Sequence, residues 1–520
     1  MSARPAHRWS FDAVALGAAA ATLICGAPAL AVLGFALMPG EGAQFGGALL
    51  RDGAFGTIKL MLAGGGGAIV LGAAAAWLVS LTRFPGRGLF EWLLVIPLAA
   101  PSYVLAYAYS GLTWAGGPIA FPVAGFWGAA FVYALGLYPY VYLAARAAFA
   151  SQSSSALEAG RTLGAKPGAL FFRIGLPLAR PGIVAGGALA LMEIAADYGA
   201  AQHFGLTTLS TAIFRAWYAH QSAHGALQIA AVLLAAAIVF LVIERRARGR
   251  AGFADTTGRW RALPGYQLPP LAAAGAFIFC TALIVLGAVL PLGWLAMIAV
   301  GHTYVEQLWS ALFNTLMLAG AGALVTLALA AIIAVSARRS GRLGKLSLFA
   351  AGMGYAAPGA VLALGAFSLF GLARELGWIG GVGVSLALVT LIWAYAARFA
   401  AAGAQPIDAG LARLSRGIDA SARTLGAGPA RRLWRVDLPI AAPSLAAAAL
   451  ILFVDVLKEL PATLIIRPFN FDTLAVIAYQ YASDEQLTLA AAPSLMIFAA
   501  GLAPILLLSR QITRARAGAR

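Results

Sequence analysis

The stretch SSSALEAGRTLGAKPGALFFRIGLPLARP, residues 153–181, returns in altered form as ASARTLGAGPARRLWRVDLPIAAP, residues 420–443. The pentapeptide RTLGA stands at Arg161–Ala165 and again at Arg423–Ala427, an offset of 262. The match continues through Pro167/Pro429, Arg173/Arg435, Leu176/Leu438, Pro177/Pro439 and Pro181/Pro443. Shorter echoes flank it: LMLAG at Leu60–Gly64 and Leu316–Gly320, and an Ala-Pro pair at Pro101 and Pro358. A chain that repeats itself at such a period is built from two copies of one unit.

The solvent of that unit follows from composition. Of the 520 residues, 61% are hydrophobic and only 11% charged, with a mean hydropathy of +0.85. Soluble domains need about 25% charged residues to cover a surface, so most of this chain faces lipid. Apolar runs of membrane-spanning length predict twelve helices near 12–37, 57–81, 91–112, 123–145, 182–202, 226–243, 271–299, 311–336, 347–370, 380–402, 442–462 and 487–509. The first is too long for a signal-peptide core and is expected to be retained. The expected fold is all-α, a polytopic membrane protein of about 12 transmembrane helices in two parallel six-helix repeats.

Orientation comes from the basic residues, which stay on the cytoplasmic side during insertion. With both termini inside, the inner segments hold all 36 Lys and Arg except Arg51, Lys59, Arg215, Arg374, Lys458 and Arg467. The net charge of +17 therefore records topology and contact with anionic membrane lipid, and no nucleic acid is expected as partner. A bacterial inner (plasma) membrane is the expected location. Cys25 and Cys280 lie in apolar stretches without metal-ligand spacing and read as small core residues.

In the first quoted loop, Ser153 to Ser155 cap a helix starting near Ala156, and Glu158 suits its positive end. Gly164 ends that helix; Pro167 opens a second, expected to expose Leu170, Phe171 and Phe172 beside Arg161, Lys166 and Arg173. Such a basic, apolar knob fits either a partner's groove or the bilayer interface. The spacing Glu158-Ala159-Gly160, three residues, Gly164, nine residues, Ile174-x-Leu176-Pro177 resembles the cytoplasmic EAA loop of permease subunits of binding-protein-dependent ABC transporters.

That resemblance implies a coupling helix docked on an ATP-binding subunit, with residues Glu158, Ala159, Gly160, Gly164, Ile174, Leu176 and Pro177 in the first copy. The second copy keeps Gly426, Val436, Leu438 and Pro439 but has Ala420-Ser421-Ala422 in place of Glu-Ala-Gly. It further implies two copies of the ATP-binding subunit and a periplasmic substrate-binding protein as partners. No phosphate-binding glycine-rich loop is present: Gly344-Lys345 is followed by Leu346. The chain is thus expected to be no enzyme and to hold no cofactor, ATP and Mg being bound by the partner. The organisation reads as 1–56, N-terminal helix and outer loop; 57–245, first permease domain; 246–310, linker and seventh helix; 311–508, second permease domain; 509–520, basic cytoplasmic tail.

The apolar segments after the two loops carry carboxylates, in LMEIAADYGA (Glu193, Asp197) and FVDVLKELPA (Asp455, Glu459). Both pairs are spaced i,i+4, hence on one helix face, and both match at offset 262. Ionised groups in hydrocarbon cost at least about 2.5–3.5 kcal/mol, so these should face the bundle interior. Two readings stand: a negative translocation path suited to a hard cation, with Tyr198 adding a phenolic oxygen, or internal pairing with Lys458 and capping of helices interrupted at Gly199 and Pro461. His203, His220 and His224 give only weak metal spacing, and Asp472, Asp484 and Glu485 are outer acids available to a binding protein.

The stretches ADYGA with FGLTTLSTAIFRAWY, and LKELPAT with RPFNFDTLA, resemble the fused permeases for ferric iron, so the expected cargo is ferric iron, with thiamine or a phosphonate as alternatives. A proton-coupled secondary transporter using the four carboxylates would share the span count and symmetry.

Overall fold

The computed structural model describes residues 8–39, 46–113, 118–119, 123–150, 162, 170–248, 266–300, 305–380, 383–412, 421–422, 424–428, 431, 435–436 and 438–517. Among them, ten helices are long and apolar enough to cross a membrane: Val14–Ala36, Gly47–Leu81, Gly125–Phe149, Phe171–Ala196, Ala223–Ile243, Pro270–Ala299, Gln307–Arg339, Val384–Leu411, Leu438–Leu457 and Leu487–Pro504. Two further spans are broken, Arg87–Ala99 with Ser102–Thr113 and Gly341–Ala356 with Gly359–Glu375, bent by 90° and 114°. Together these make twelve, in the expected order and in two sets of six.

The bends replace the straight third and ninth helices expected from hydropathy. Their cause is local: Ala100 and Ala357, each before a proline, are extended (ψ 118° and 134°), as the proline ring demands of its predecessor. The matched Pro101 and Pro358 therefore mark equivalent corners in the two halves.

A second departure follows the fifth and eleventh spans. These stop at Ala196 and Leu457, short of the expected ends, and the chain turns into the short helices Gly199–His203 and Pro461–Ile466. The segments expected as outer loops continue as Leu209–Phe214, every residue of it buried, and Leu474–Ser483. Thr208 caps the first through a reciprocal bond with Thr211, and Thr473 accepts from the Val476 N–H in the second. Polar residues that read as loop are here the caps of buried helices.

The halves exchange their outermost helices. The first span packs on the second half: Gly365 lies against the Pro28 carbonyl, so close that a Cβ there would collide with it, and the Trp393 indole donates to the Ile24 carbonyl at 2.9 Å. The seventh span packs on the first half, where the Tyr109 hydroxyl donates to the Leu286 carbonyl. A two-residue parallel pairing, Thr82–Arg83 with Tyr266–Gln267, ties the linker to the end of the second span. Cys25 and Cys280 are buried free thiols.

Candidate translocation site

A cavity lies where the halves meet. Its walls include Pro101, Ser102, Tyr103, Gly136, Tyr140, Glu193, Asp197, Tyr198 and Gly199 from the first half, and Arg398, Phe399, Asp455, Lys458, Glu459 and Pro461 from the second. All four intramembrane carboxylates thus reach a single space, as their shared offset predicts. The i,i+4 helix face holds only in part, because the helices end before Asp197 and Glu459.

Those two residues serve as caps. Asp197 Oδ1 accepts from the N–H groups of Ala200 (2.9 Å) and Ala201 (3.4 Å), and Glu459 Oε2 accepts from Ala462 (3.0 Å) and Thr463 (3.4 Å). Each carboxylate thereby satisfies amide donors at the start of a short helix inside the bundle, where water is scarce. The Thr463 hydroxyl bonds the Tyr395 hydroxyl at 2.6 Å, and Tyr133 is the sequence equivalent of Tyr395 at offset 262.

The symmetry ends at the basic residues. Glu459 forms a buried ion pair with Arg398, Nη1 to Oε1 2.8 Å, and Asp455 pairs with Lys458 at 3.0 Å. The equivalents of Arg398 and Lys458 at offset 262 are Gly136 and Ala196, so the first-half wall has neither cation. The Arg398–Glu459 pair fits because Gly359 adjoins it: a Cβ at this position would run into both Glu459 Oε1 and Arg398 Nη1. On the first-half wall, Glu193 has no hydrogen bond or ion pair with any described residue.

Arg398 corrects the charge reading. Counted among the inner basic residues, it instead sits within the span Val384–Leu411, 9% exposed, beside its carboxylate. Its nearness to the end of an apolar run hid it; a charge flanked by Trp393, Tyr395 and Phe399 was the available signal. The internal pairing with Lys458 and the two capping roles were legible. Tyr140, which accepts from Lys458 Nζ at 3.3 Å across the halves, was not.

Tyr198 lines the cavity, but its hydroxyl bonds that of Tyr479 at 2.6 Å and its ring stacks on Phe214, so that oxygen is committed to joining the halves. His203 bonds Ser110 at 2.8 Å, His224 bonds Gln228 at 3.0 Å, and Asp472 pairs with Arg467. Asp484 and Glu485 are exposed. Among the described residues, no three His, Cys, Asp or Glu side chains gather as a metal site.

Of the repeated loops, Glu158, Ala159, Gly160, Gly164 and Ala420 lie outside the described residues. Ile174, Leu176 and Pro177 belong to the start of the fifth span, and Leu438 and Pro439 to the start of the eleventh, with Val436 just before it. The expected exposed knob is smaller than read: Leu170 is buried and Phe171 packs edge-on to Trp77 at 4.8 Å, leaving Phe172 exposed. The apolar side of that turn is drawn onto the second span, where Gly175 lets the Trp77 ring approach. In the second copy Gly426 has φ +75°, and the Ala427 N–H reaches the Ala422 carbonyl at 3.0 Å, a helix-ending turn that favours glycine.

Twelve spans in two equivalent halves, a cavity between them and a repeated loop leading into each carboxylate-bearing helix define a membrane permease. Residues 68–246 match the family described as binding-protein-dependent transport system inner membrane component, and the chain belongs to it. It is 28% identical to the Fe(3+)-transport system permease protein of Haemophilus influenzae, over 87% of this chain and 88% of that one. It is 31% identical to the molybdenum transport system permease protein of Escherichia coli, over 34% of this chain and 86% of the relative. For the sulfate transport system permease protein of Synechocystis the figures are 29%, 35% and 71%. The chain is accordingly the permease of an ABC importer, an inner-membrane multi-pass protein that works with an ATP-binding subunit and a periplasmic binding protein; a transport permease is not an enzyme.

Proposed function

We propose that this permease carries ferric iron, received from the periplasmic binding protein, through the cavity between its halves into the cytoplasm. The observation that carries the reading is the charge of the cavity: four carboxylates face two basic groups, both of them on one wall. A net negative, oxygen-lined space favours a hard cation and opposes an oxyanion, including a phosphonate. The likeness to a ferric iron permease along nearly the whole chain, against one-third for the molybdenum relative, supports the same cargo.

Both termini lie in the cytoplasm in this reading, with 57–245 and 311–508 as the two permease domains. Each repeated loop, Glu158 to Pro177 and Ala420 to Pro439, meets one of two ATP-binding subunits, which bind ATP and Mg. Loss of Glu158's counterpart in the second loop makes the two contacts unequal. The test is uptake of radiolabelled ferric iron by iron-limited cells with and without this chain, with thiamine uptake in parallel because thiamine is also cationic. Loss of iron uptake alone, restored by the wild-type chain, is the expected result. Loss of thiamine uptake alone overturns the cargo and keeps the negative path.

A further inference from the structure

The four carboxylates are equivalent by sequence, yet their surroundings divide them into three kinds. Asp197 and Glu459 hold the starts of short helices. Asp455 is tied to Lys458 at 3.0 Å, and Lys458 in turn donates to the Tyr140 hydroxyl of the opposite half. Glu193 alone lines the cavity without a hydrogen bond or ion pair to a described residue, although Lys458 and Tyr140 are within electrostatic range of it. A second, independent observation lies on the same cavity: Tyr103 lines it, is 4% exposed, and has a buried hydroxyl that bonds no described residue. That hydroxyl is within electrostatic range of Asp197, Glu459 and Lys458.

Resting on the cation reading above, we infer that Glu193, on the cavity that the Tyr103 hydroxyl also lines, is the point at which the path touches its cationic cargo, while Lys458 is an internal counter-ion that withholds Asp455 from the same use. The path is then one-sided although the fold is two-fold. A single free carboxylate holds a cation weakly, which suits a site that must release its cargo. The role of Lys458 is positional: bound to Asp455 it leaves Glu193 free, and released from Asp455 it becomes the nearest mobile cation in the cavity. Neutralising Glu193 and neutralising Asp455 should therefore fail for different reasons, the first by loss of the contact, the second by Lys458 taking its place.

The experiment uses the full chain in two assays. In the first, the purified permease is titrated with terbium(III), a hard trivalent probe whose emission is sensitised by nearby tyrosines. E193Q should weaken the saturable binding by about tenfold, the scale of one lost charge contact in a partly desolvated site, and E193D should keep it. D455N should weaken it as well, and D455N/K458M should restore it to within about twofold of wild type, whereas E193Q/K458M should stay weak. In the second, ferric iron uptake supplied as the citrate complex should follow the same order, with membrane levels of each variant checked by immunoblot.

Unchanged terbium binding in E193Q overturns the assignment, and so does a D455N/K458M variant as weak as D455N. Terbium results in the expected order with no iron uptake by wild type would retain the contact and refute iron as cargo, so the two failures are told apart.

Discussion

Replacing Arg398 by Met tests whether the second-half wall is held by its buried ion pair. Glu459 is 2% exposed at its side chain and Arg398 11%, so both groups are largely withdrawn from solvent. Removing one partner of such a pair costs about 3–5 kcal/mol, mostly from the charge left behind. The lower end applies here, because the Ala462 and Thr463 amides stay on the carboxylate. We expect R398M to destabilise the chain by about 3 kcal/mol. E459Q should cost about 2 kcal/mol: it keeps an oxygen for the cap but leaves Arg398 over the Phe399 ring alone.

The double variant R398M/E459Q removes both charges and should cost no more than either single change, a coupling of about 3 kcal/mol. The assay is unfolding of the purified chain by sodium dodecyl sulfate, followed by circular dichroism, for the four members of the cycle. Simple additivity of the two single changes would refute the claim that the pair is a coupled structural unit. G359A provides a check without touching either charge, since its methyl group would push the partners apart; it should weaken the pair and cost less in the R398M/E459Q background, where the clash with the guanidinium is gone and only that with the residue-459 side chain remains.

Three further outcomes are expected. Valine at Gly426 is strained at φ +75° by about 1–3 kcal/mol and should lower uptake and the coupling of ATP hydrolysis to transport while membrane levels stay normal; normal transport by both this variant and a bulky substitution of Gly164 would sink the docking role of the loops. G365A forces a methyl group onto the Pro28 carbonyl and should loosen the first span from the second half, seen as faster trypsin cleavage of the N-terminal segment and a loss of about 1–3 kcal/mol in the same unfolding assay. D197N retains a capping oxygen and should keep most uptake, whereas D197A loses the cap and about 1 kcal/mol; equal loss in both would make Asp197 a cargo contact and not a cap.

What the sequence disclosed, and what it did not, divides along the range of the interaction. The twelve spans, the two-fold repeat and the convergence of Glu193, Asp197, Asp455 and Glu459 follow from apolar length and a fixed offset. Both are local or periodic properties that a single chain displays. The bends at Pro101 and Pro358 were present as matched prolines, yet hydropathy averages across them, so the spans read as straight. The buried helix Leu209–Phe214 and the partly buried Leu474–Ser483 read as outer loops because their threonines and short lengths look like loop chemistry until a cap is seen. Arg398 and Tyr140 are not legible in the sequence for a different reason. Their roles depend on partners 61 and 318 residues away, and no spacing rule connects such positions.

The same geometry links the loops to the cavity without any intermediate part. The fifth span, Phe171–Ala196, runs without a break for 26 residues, about 39 Å at helical rise, from the foot of the first repeated loop to the turn that holds Asp197. The eleventh, Leu438–Leu457, does the same over 20 residues, about 30 Å. A helix is stiff along its axis, so a displacement of either loop is carried toward Glu193 or Asp455, less what the π-helical turn Phe171–Gly175 and the internal Pro181 and Pro443 absorb. The two displacements act on different contacts. Movement of the eleventh span strains the Lys458 bond to Tyr140, and movement of the fifth, which ends two residues before Tyr198, strains the Tyr198–Tyr479 bond; both bonds cross between the halves. Opening of the cavity should therefore be resisted from both halves, by one crossing bond at the end of each of these spans. Y479F, which deletes one crossing bond of about 1 kcal/mol, should raise ATP hydrolysis in the absence of binding protein, measured in proteoliposomes with the ATP-binding subunit; unchanged hydrolysis would show that these hydroxyls join the halves without governing their separation.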